Sequence, residues 1–264
     1  MNEIPQMDDQ AAPEPKRLSR QGEERRKLLR SAAVGGAMVC AALAGFFQHK
    51  FANAAPRLRP PGALDEEAFL AACIKCGQCV QVCPVRAIHL ADLHEGVGNG
   101  VPYIDARAQA CDFSCDATQC ILACPTGALS HGIDKKEQVR MGVAKLVAPD
   151  ACLARKGEGV KGPARGAAFP GLLRYEQVDR WRPQPVAKHE YNLDSCDLCV
   201  RECPIEGAIA MEPLTNDPAD KRRTPVVRKS CVGCGVCEMM CPAEPAAIRV
   251  EIMTTGREEG VRRS

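Results

Sequence analysis

The distribution of polar and apolar positions divides the chain near its start. Residues 1–24 are polar without apolar periodicity, which predicts a disordered leader. Glu24-Arg25-Arg26-Lys27-Leu28-Leu29-Arg30 follows, and Ser31 to Phe47 then runs without a charged side chain. Further on, the apolar runs are short. Ala87–Leu93, Pro102–Ala106, Lys145–Val147, Ala208–Met211, Thr224–Arg228 and Ile248–Ile252 read as strands. Strand, loop, short helix and strand succeed one another twice, with a boundary near residues 140–150, so the pattern predicts an α+β fold built as a tandem repeat. Residues 153–195, rich in Gly, Pro and Arg and holding the single Trp181, interrupt the second half. Such a stretch predicts a solvated loop; a docking surface is the alternative, because long loops in compact domains often carry function.

Ala52-Asn53-Ala54 places a small-x-small cleavage site before Ala55. Basic, apolar and cleavable regions in this order make a bacterial export signal, and the paired Arg25-Arg26 points to the twin-arginine route. Gly35, Gly36 and Gly45 keep the apolar stretch milder than a Sec signal or a spanning helix. An uncleaved anchor stays open, since Ser31–Phe47 reaches the lower limit for a membrane span. Cys40 is a passenger, because Val39 is a poor residue before a lipidated cysteine.

Composition changes the picture of the core. The 264 residues include one Trp, three Tyr and six Phe, but 17 Cys, 22 Gly and 20 Pro. A chain so poor in large aromatic side chains needs something besides their packing to hold it together. The 35 Lys plus Arg against 33 Asp plus Glu leave no bulk field for nucleic acid. There is no C-x-x-C-H for c-type haem and no G-x-x-x-x-G-K-[ST] phosphate loop.

Beyond the leader, the cysteines form four quartets. Cys73, Cys76, Cys79 and Cys83 make a C-x2-C-x2-C-x3-C-P run, and Cys231, Cys234, Cys237 and Cys241 repeat it. Cys111, Cys115, Cys120 and Cys124 are spaced x3, x4, x3, while Cys152 precedes Cys196, Cys199 and Cys203 by a wide gap. Every quartet ends in Cys-Pro. A [4Fe–4S] cubane needs four thiolates at the corners of one compact body. Three cysteines at intervals of three wrap a loop around it; the fourth, one helical turn beyond, faces away and ligates the neighbouring cluster. Gly77, Gly233 and Gly235 suit a loop whose backbone approaches inorganic sulfide closely. Zinc sites use separated C-x2-C pairs without the third cysteine, and a secreted disulfide framework does not require this repeat.

Crossed ligation predicts four sets. Cluster 1 takes Cys73, Cys76, Cys79 and Cys124; cluster 2 takes Cys111, Cys115, Cys120 and Cys83. Cluster 3 takes Cys152, Cys196, Cys199 and Cys241; cluster 4 takes Cys231, Cys234, Cys237 and Cys203. The expected organisation is an export signal over 1–54, a two-cluster bacterial-type ferredoxin module over 55–149 and a second over 150–264. His89, His94, His131 and His189 show no ligand spacing and read as structural or surface residues.

The run Arg57-Leu58-Arg59-Pro60-Pro61-Gly62-Ala63-Leu64, with Phe69 and Cys73-Ile74-Lys75-Cys76-Gly77-Gln78-Cys79-Val80-Gln81-Val82-Cys83-Pro84, resembles the NapG/MauM family of ferredoxin-type proteins. Arg140-Met141-Gly142-Val143-Ala144 and Cys196-Asp197-Leu198-Cys199-Val200-Arg201-Glu202-Cys203-Pro204 extend the resemblance. It implies a periplasmic protein with a twin-arginine signal and four [4Fe–4S] clusters. It further implies electron transfer from a membrane quinol dehydrogenase that also carries iron–sulfur centres to a periplasmic acceptor of the nitrate-reductase or methylamine-utilisation type, with no substrate chemistry of its own. The chain departs from the expected pattern in the x3 spacing after Cys111 and the gap after Cys152. The alternatives are an iron–sulfur subunit of a membrane-bound molybdenum oxidoreductase and a redox maturation factor.

Overall fold

The computed structural model describes residues 20–52, 57–92, 98–115, 117–175 and 182–253. The expected cleavage site at Ala54–Ala55, together with Leu93, His94 and Trp181, lies outside them. The chain divides into two units, 1–52 and 53–264. The first contains α1, Arg20–Ala52, so the leader expected to be disordered through residue 24 is helical from Arg20. Its span Gly22–Gly45 is long and apolar enough to cross a membrane, and none of it is buried. Arg25, Arg26 and Cys40 are exposed.

The second unit starts with α2, Glu66–Ala72, whose first turn is capped by Asp65 Oδ1 accepting from the Ala68 N–H at 3.3 Å. Phe69 anchors α2 in the core. α3 (Gln78–Gln81) leads to β1 (Ile88–Leu90), which pairs antiparallel with β2 (Pro102–Ile104) before α4 (Gln119–Leu122). β3 (Gly142–Leu146) and α5 (Leu153–Lys156) precede β4 (Val160–Pro163), β5 (Leu172–Leu173), β6 (Gln184–Pro185) and β7 (Glu190–Leu193). The chain continues through α6 (Leu198–Arg201), β8 (Ile209–Pro213), β9 (Arg223–Val227), α7 (Val236–Met239) and β10 (Ile248–Ile252). The six expected strands all fall on β1, β2, β3, β8, β9 and β10.

Pairing reproduces the tandem pattern. In the first half β1 and β2 form a hairpin between two cysteine loops, and Ala63 bridges Leu129 across its outer segments. In the second, β8 and β9 form the hairpin, and β3 pairs with β10 from Leu146↔Ile248 to Gly142↔Ile252. β3 precedes the expected boundary at residue 149 yet joins the last strand along its whole length. Only the cysteine positions carry the period in the sequence; β3 has none to mark its partner.

The described residues of the interruption at 153–195 do not form a loose solvated loop. β4 pairs with β7 and β5 with β6, and Val160, Leu173, Tyr175, Val186 and Tyr191 are buried. The Leu172 N–H donates to Gln109 Oε1 at 2.7 Å while Gln109 Nε2 donates to the Leu172 carbonyl at 2.8 Å. The Arg174 N–H donates to Asp112 Oδ2 at 3.1 Å, and Arg165 Nη1 to the Arg107 carbonyl at 2.7 Å. Irregular apolar spacing over very short strands hides this packing from any periodicity.

The two halves also meet directly. Arg107 donates to the carbonyls of Glu238 (2.6 Å), Cys241 (2.8 Å) and Ala243 (2.9 Å) and to Glu244 Oε1 (2.6 Å). Gly233 has φ +72°, and a Cβ there would lie 2.4 Å from the Gly142 backbone. At Gly235, φ +91°, a Cβ would sit 2.5 Å from that of Ala106. The close approach that requires these two glycines is therefore to neighbouring protein, beside any approach to sulfide.

Candidate metal centres

Four-residue helices position the central cysteines. α3 and α7 start from left-handed glycines, Gly77 and Gly235, and α4 from Thr118 at φ 44°. Each ends just before a Cys-Pro pair, where the proline has no N–H to extend the helix. The third cysteine of each loop lies on the helix and the fourth beyond its end.

This places four cysteines around each of four cavities. Cys73, Cys76, Cys79 and Cys124 line one, with Phe69 and Leu129 among its walls. Cys83, Cys111, Cys115 and Cys120 line the second with Phe113 and Thr118. Cys152, Cys196, Cys199 and Cys241 line the third with Leu146, Leu198 and Ile248. Cys203, Cys231, Cys234 and Cys237 line the fourth with Val232 and Gly233. The four cavities are of similar size. In every case three cysteines come from one quartet and the fourth from the other quartet of the same half. The third set brings Cys152 beside Cys196 despite the wide sequence gap.

The donor chemistry discriminates among occupants. All seventeen cysteines are free thiols. Among the described residues, no three His, Cys, Asp or Glu side chains converge closely enough to hold a single ion; four thiols around a void suit a polyatomic body. Burial opposes ionisation at several of these thiols. It pushes Cys79 up to about 11, helped by the nearby charges of Cys73 and Cys76. Burial likewise pushes Cys196 up to about 11 and Cys234 to about 12. Four thiolates sharing a dry cavity need a positively charged iron–sulfur core to offset both desolvation and mutual repulsion.

The fourth cysteines receive their own donors. Cys83 Sγ accepts from the Ala87 N–H at 3.2 Å, Cys124 Sγ from Leu129 at 3.4 Å and Cys241 Sγ from Ala247 at 3.3 Å. At Cys124, burial is outweighed by the N–H groups of Leu129, Thr126 and Gly127 and by the Thr126 hydroxyl, so its thiol lies below the ordinary value. Cys203 differs, its thiol donating to the Ile205 carbonyl at 3.3 Å.

The cavities form a continuous series. Burial pushes Cys120 up to about 12, and the charges of Cys115, Cys83 and Cys79 add to it, so the first and second cavities adjoin. The Cys111 N–H donates to the Cys234 carbonyl at 3.3 Å, joining the second to the fourth. Burial raises Cys237 well above the ordinary thiol value, and Cys234 and Cys199 raise it further, which joins the fourth to the third. The first cavity opens to the surface: Cys76 is exposed, and Ile74 in its wall is 64% exposed.

Several contributors are invisible in the motif. Phe113, Ala117 and Thr118, all in the second loop, adopt left-handed φ of 49°, 52° and 44°, a conformation costing roughly 1–3 kcal/mol each for such residues. The irregular x3, x4 spacing was the one signal that this loop differs. His131 Nε2 lies 2.9 Å from the Cys124 carbonyl, and His189 stacks on Tyr175 at 4.0 Å.

The 4Fe-4S dicluster domain model matches residues 72–128 and 194–244. Cys152 lies outside both matches. The chain is 35% identical over 241 residues to the ferredoxin-type protein NapG of Escherichia coli, covering 89% of this chain and 88% of that protein. It is 37% identical over 235 residues to the ferredoxin-type protein NapG of Haemophilus influenzae, with 86% and 71% covered. The methylamine utilization ferredoxin-type protein MauM of Paracoccus denitrificans is 39% identical over 197 residues, with 73% and 70% covered. No solved structure matches the chain. Four [4Fe–4S] clusters are the cofactors of this chain.

Proposed function

The chain belongs to the NapG/MauM family of ferredoxin-type proteins, and we propose that it is an exported electron-transfer protein linking a membrane quinol dehydrogenase to a periplasmic acceptor of the nitrate-reductase or methylamine-utilisation type. The observation that carries this reading is the unbroken series of four-cysteine cavities within one body, with one end at the surface. We assign the ligand sets as the cavities group them: Cys73, Cys76, Cys79 and Cys124; Cys111, Cys115, Cys120 and Cys83; Cys152, Cys196, Cys199 and Cys241; Cys231, Cys234, Cys237 and Cys203. When bound, the clusters supply one-electron transfer. The protein's residues set ligand geometry, exclude water and donate hydrogen bonds to sulfur, the levers that tune such centres. Residues 1–54 act as the export signal, by the twin-arginine route, and two dicluster modules follow. We place the division between them ahead of β3, because β3 completes a sheet with β10.

The exposed rim around Cys76, with Ile74, supports exchange with a partner at the first cavity, since a redox partner must approach a centre closely. The test is cluster reduction in membrane vesicles supplied with quinol. The visible absorbance of the clusters is expected to bleach when the membrane dehydrogenase is present and to stay unchanged without it. Clusters that remain oxidised with every candidate membrane partner present, yet bleach with dithionite, would rule the quinol-linked role out.

A further inference from the structure

The second cavity is surrounded by anomalies that its four cysteines do not explain. Thr118 is 5% exposed, lines the cavity, and its hydroxyl has no hydrogen-bond partner. A β-branched residue at φ 44° is itself a backbone outlier. Arg174 adds a second anomaly: Nε and Nη2 of its guanidinium are buried without a partner. Among the described residues these three atoms are the buried side-chain nitrogen and oxygen atoms left unpaired. Leaving buried donors unmet costs about 1–3 kcal/mol each, and more for charged groups.

The surroundings hold Arg174 in place. Its N–H is tied to Asp112 Oδ2, one residue after Cys111. Two residues earlier, Leu172 is clamped on both sides by the Gln109 amide, and the next residue, Tyr175, is buried. The residue so held carries the two unpartnered buried nitrogens and is tied directly to the loop of Cys111 and Cys115. The loop spacing fits the same picture. The extra residue between Cys111 and Cys115 is taken up by Phe113 in the left-handed conformation, and Asp112 Oδ1 pins the turn by accepting from the Ser114 N–H at 3.0 Å.

We propose that Arg174 and Thr118 are donors to the cluster held by Cys83, Cys111, Cys115 and Cys120, and that the 153–195 insertion serves to bring Arg174 there. Hydrogen bonds and positive charge beside a cluster favour its reduced, more negative form and so raise its reduction potential. The insertion, which the cysteine motif does not need, thereby sets the potential of the second site in the series. The proposal rests on the reading that this cavity holds a cluster, and iron content tests that reading separately.

The experiment is a redox titration of the purified holoprotein, followed by electron paramagnetic resonance, for the wild type and for Arg174→Met and Thr118→Val. Both substitutions keep the backbone contacts, because Asp112 is bound by the Arg174 amide and valine retains the β-branch of Thr118. Both variants are expected to retain four clusters by iron content. Each should lower the midpoint of the same one of the four signals, with the other three unmoved. For Arg174→Met the expected change is roughly tenfold in the one-electron equilibrium, about 59 mV; Arg174→Lys, which keeps charge but loses the fork, should lie between. Four unchanged midpoints with full iron content would overturn the proposal, as would a uniform shift of all four or shifts of different signals by the two variants. Should Arg174→Met lose a cluster, Arg174→Lys decides: a lowered midpoint supports the assignment and an unmoved one rejects it. Absence of a cluster from the wild-type cavity would instead defeat the underlying reading.

Discussion

Arg107 is the residue through which the two halves are most directly fastened, and Arg107→Met isolates that contribution. Its side chain is 22% exposed and meets three backbone carbonyls at and beyond the end of α7, together with Glu244. Methionine fills much of the same volume and donates nothing. Loss of a hydrogen bond from a charged donor costs about 1.5–3 kcal/mol when the acceptor stays buried, and about 1 where water reaches it. Arg107 is partly exposed, so we take about 1 kcal/mol for each of the three carbonyls. The Glu244 side chain is 70% exposed and also meets Arg165 at 3.1 Å, so that ion pair adds about 0.5 kcal/mol or less. The expected loss is about 3 kcal/mol.

Anaerobic urea denaturation of the holoprotein measures it. With a slope of about 2–3 kcal/mol per molar urea, the midpoint should fall by about 1–1.5 M. Far-UV dichroism and visible cluster absorbance should move together, because the staple spans the loops holding Cys111 and Cys241. Glu244→Gln is the internal control and should cost well under about 1 kcal/mol. An Arg107→Met midpoint within about 0.3 M of the wild type would show that the carbonyls find other partners and that this staple is dispensable.

Anaerobically purified protein should contain about 16 iron and 16 acid-labile sulfide per chain, four cubanes' worth; half that iron, or stoichiometric zinc, contradicts it. Cys83→Ala should remove the cluster held by Cys111, Cys115 and Cys120 while leaving the signal of the Cys73 loop, and spectroscopic loss of the latter would refute the crossed assignment.

Legibility followed the chemistry. The cysteine spacings state which residues must approach a common body, so the four groupings around cavities could be anticipated, including Cys152 across its long gap. The strands were legible because β-branched and apolar residues cluster in short runs flanked by turn residues, as at Thr224–Arg228. The packing of 153–195 was not, since β5 and β6 are two residues long and present no period. Arg174 illustrates the deeper limit. In the sequence it reads as one more basic residue in a Gly, Pro and Arg-rich stretch, a candidate for a docking surface. Its burial depends on the Gln109 amide and Asp112, more than 60 residues away in sequence. Long-range hydrogen bonds of this kind leave no local trace. The Thr118 and Phe113 conformations did leave one, in the irregular Cys111–Cys115–Cys120 spacing.

The dependence of the fold on its clusters bears on the proposed export to the periplasm. The described sheets are all two-stranded, apart from α1 and α2 the α-helices have four residues each, and cysteines are part of the buried core. Isolated hairpins are marginal in water. Metal binding therefore supplies much of the folding free energy, and chelation should unfold the second unit. Cluster assembly needs reduced thiols, which the cytoplasm maintains and an oxidising compartment does not. A chain threaded unfolded through a membrane would arrive without clusters, with sixteen thiols exposed to disulfide formation. Export after folding would resolve this, and under the proposed reading the exposed Arg25-Arg26 pair on α1 is the address for the twin-arginine system. Arg25→Lys with Arg26→Lys keeps both charges and similar helix propensity, so it alters the address while preserving the basic helix. Cell fractionation of the double variant should find cluster-loaded precursor retained in the cytoplasm. Export at the wild-type level would reject the twin-arginine route.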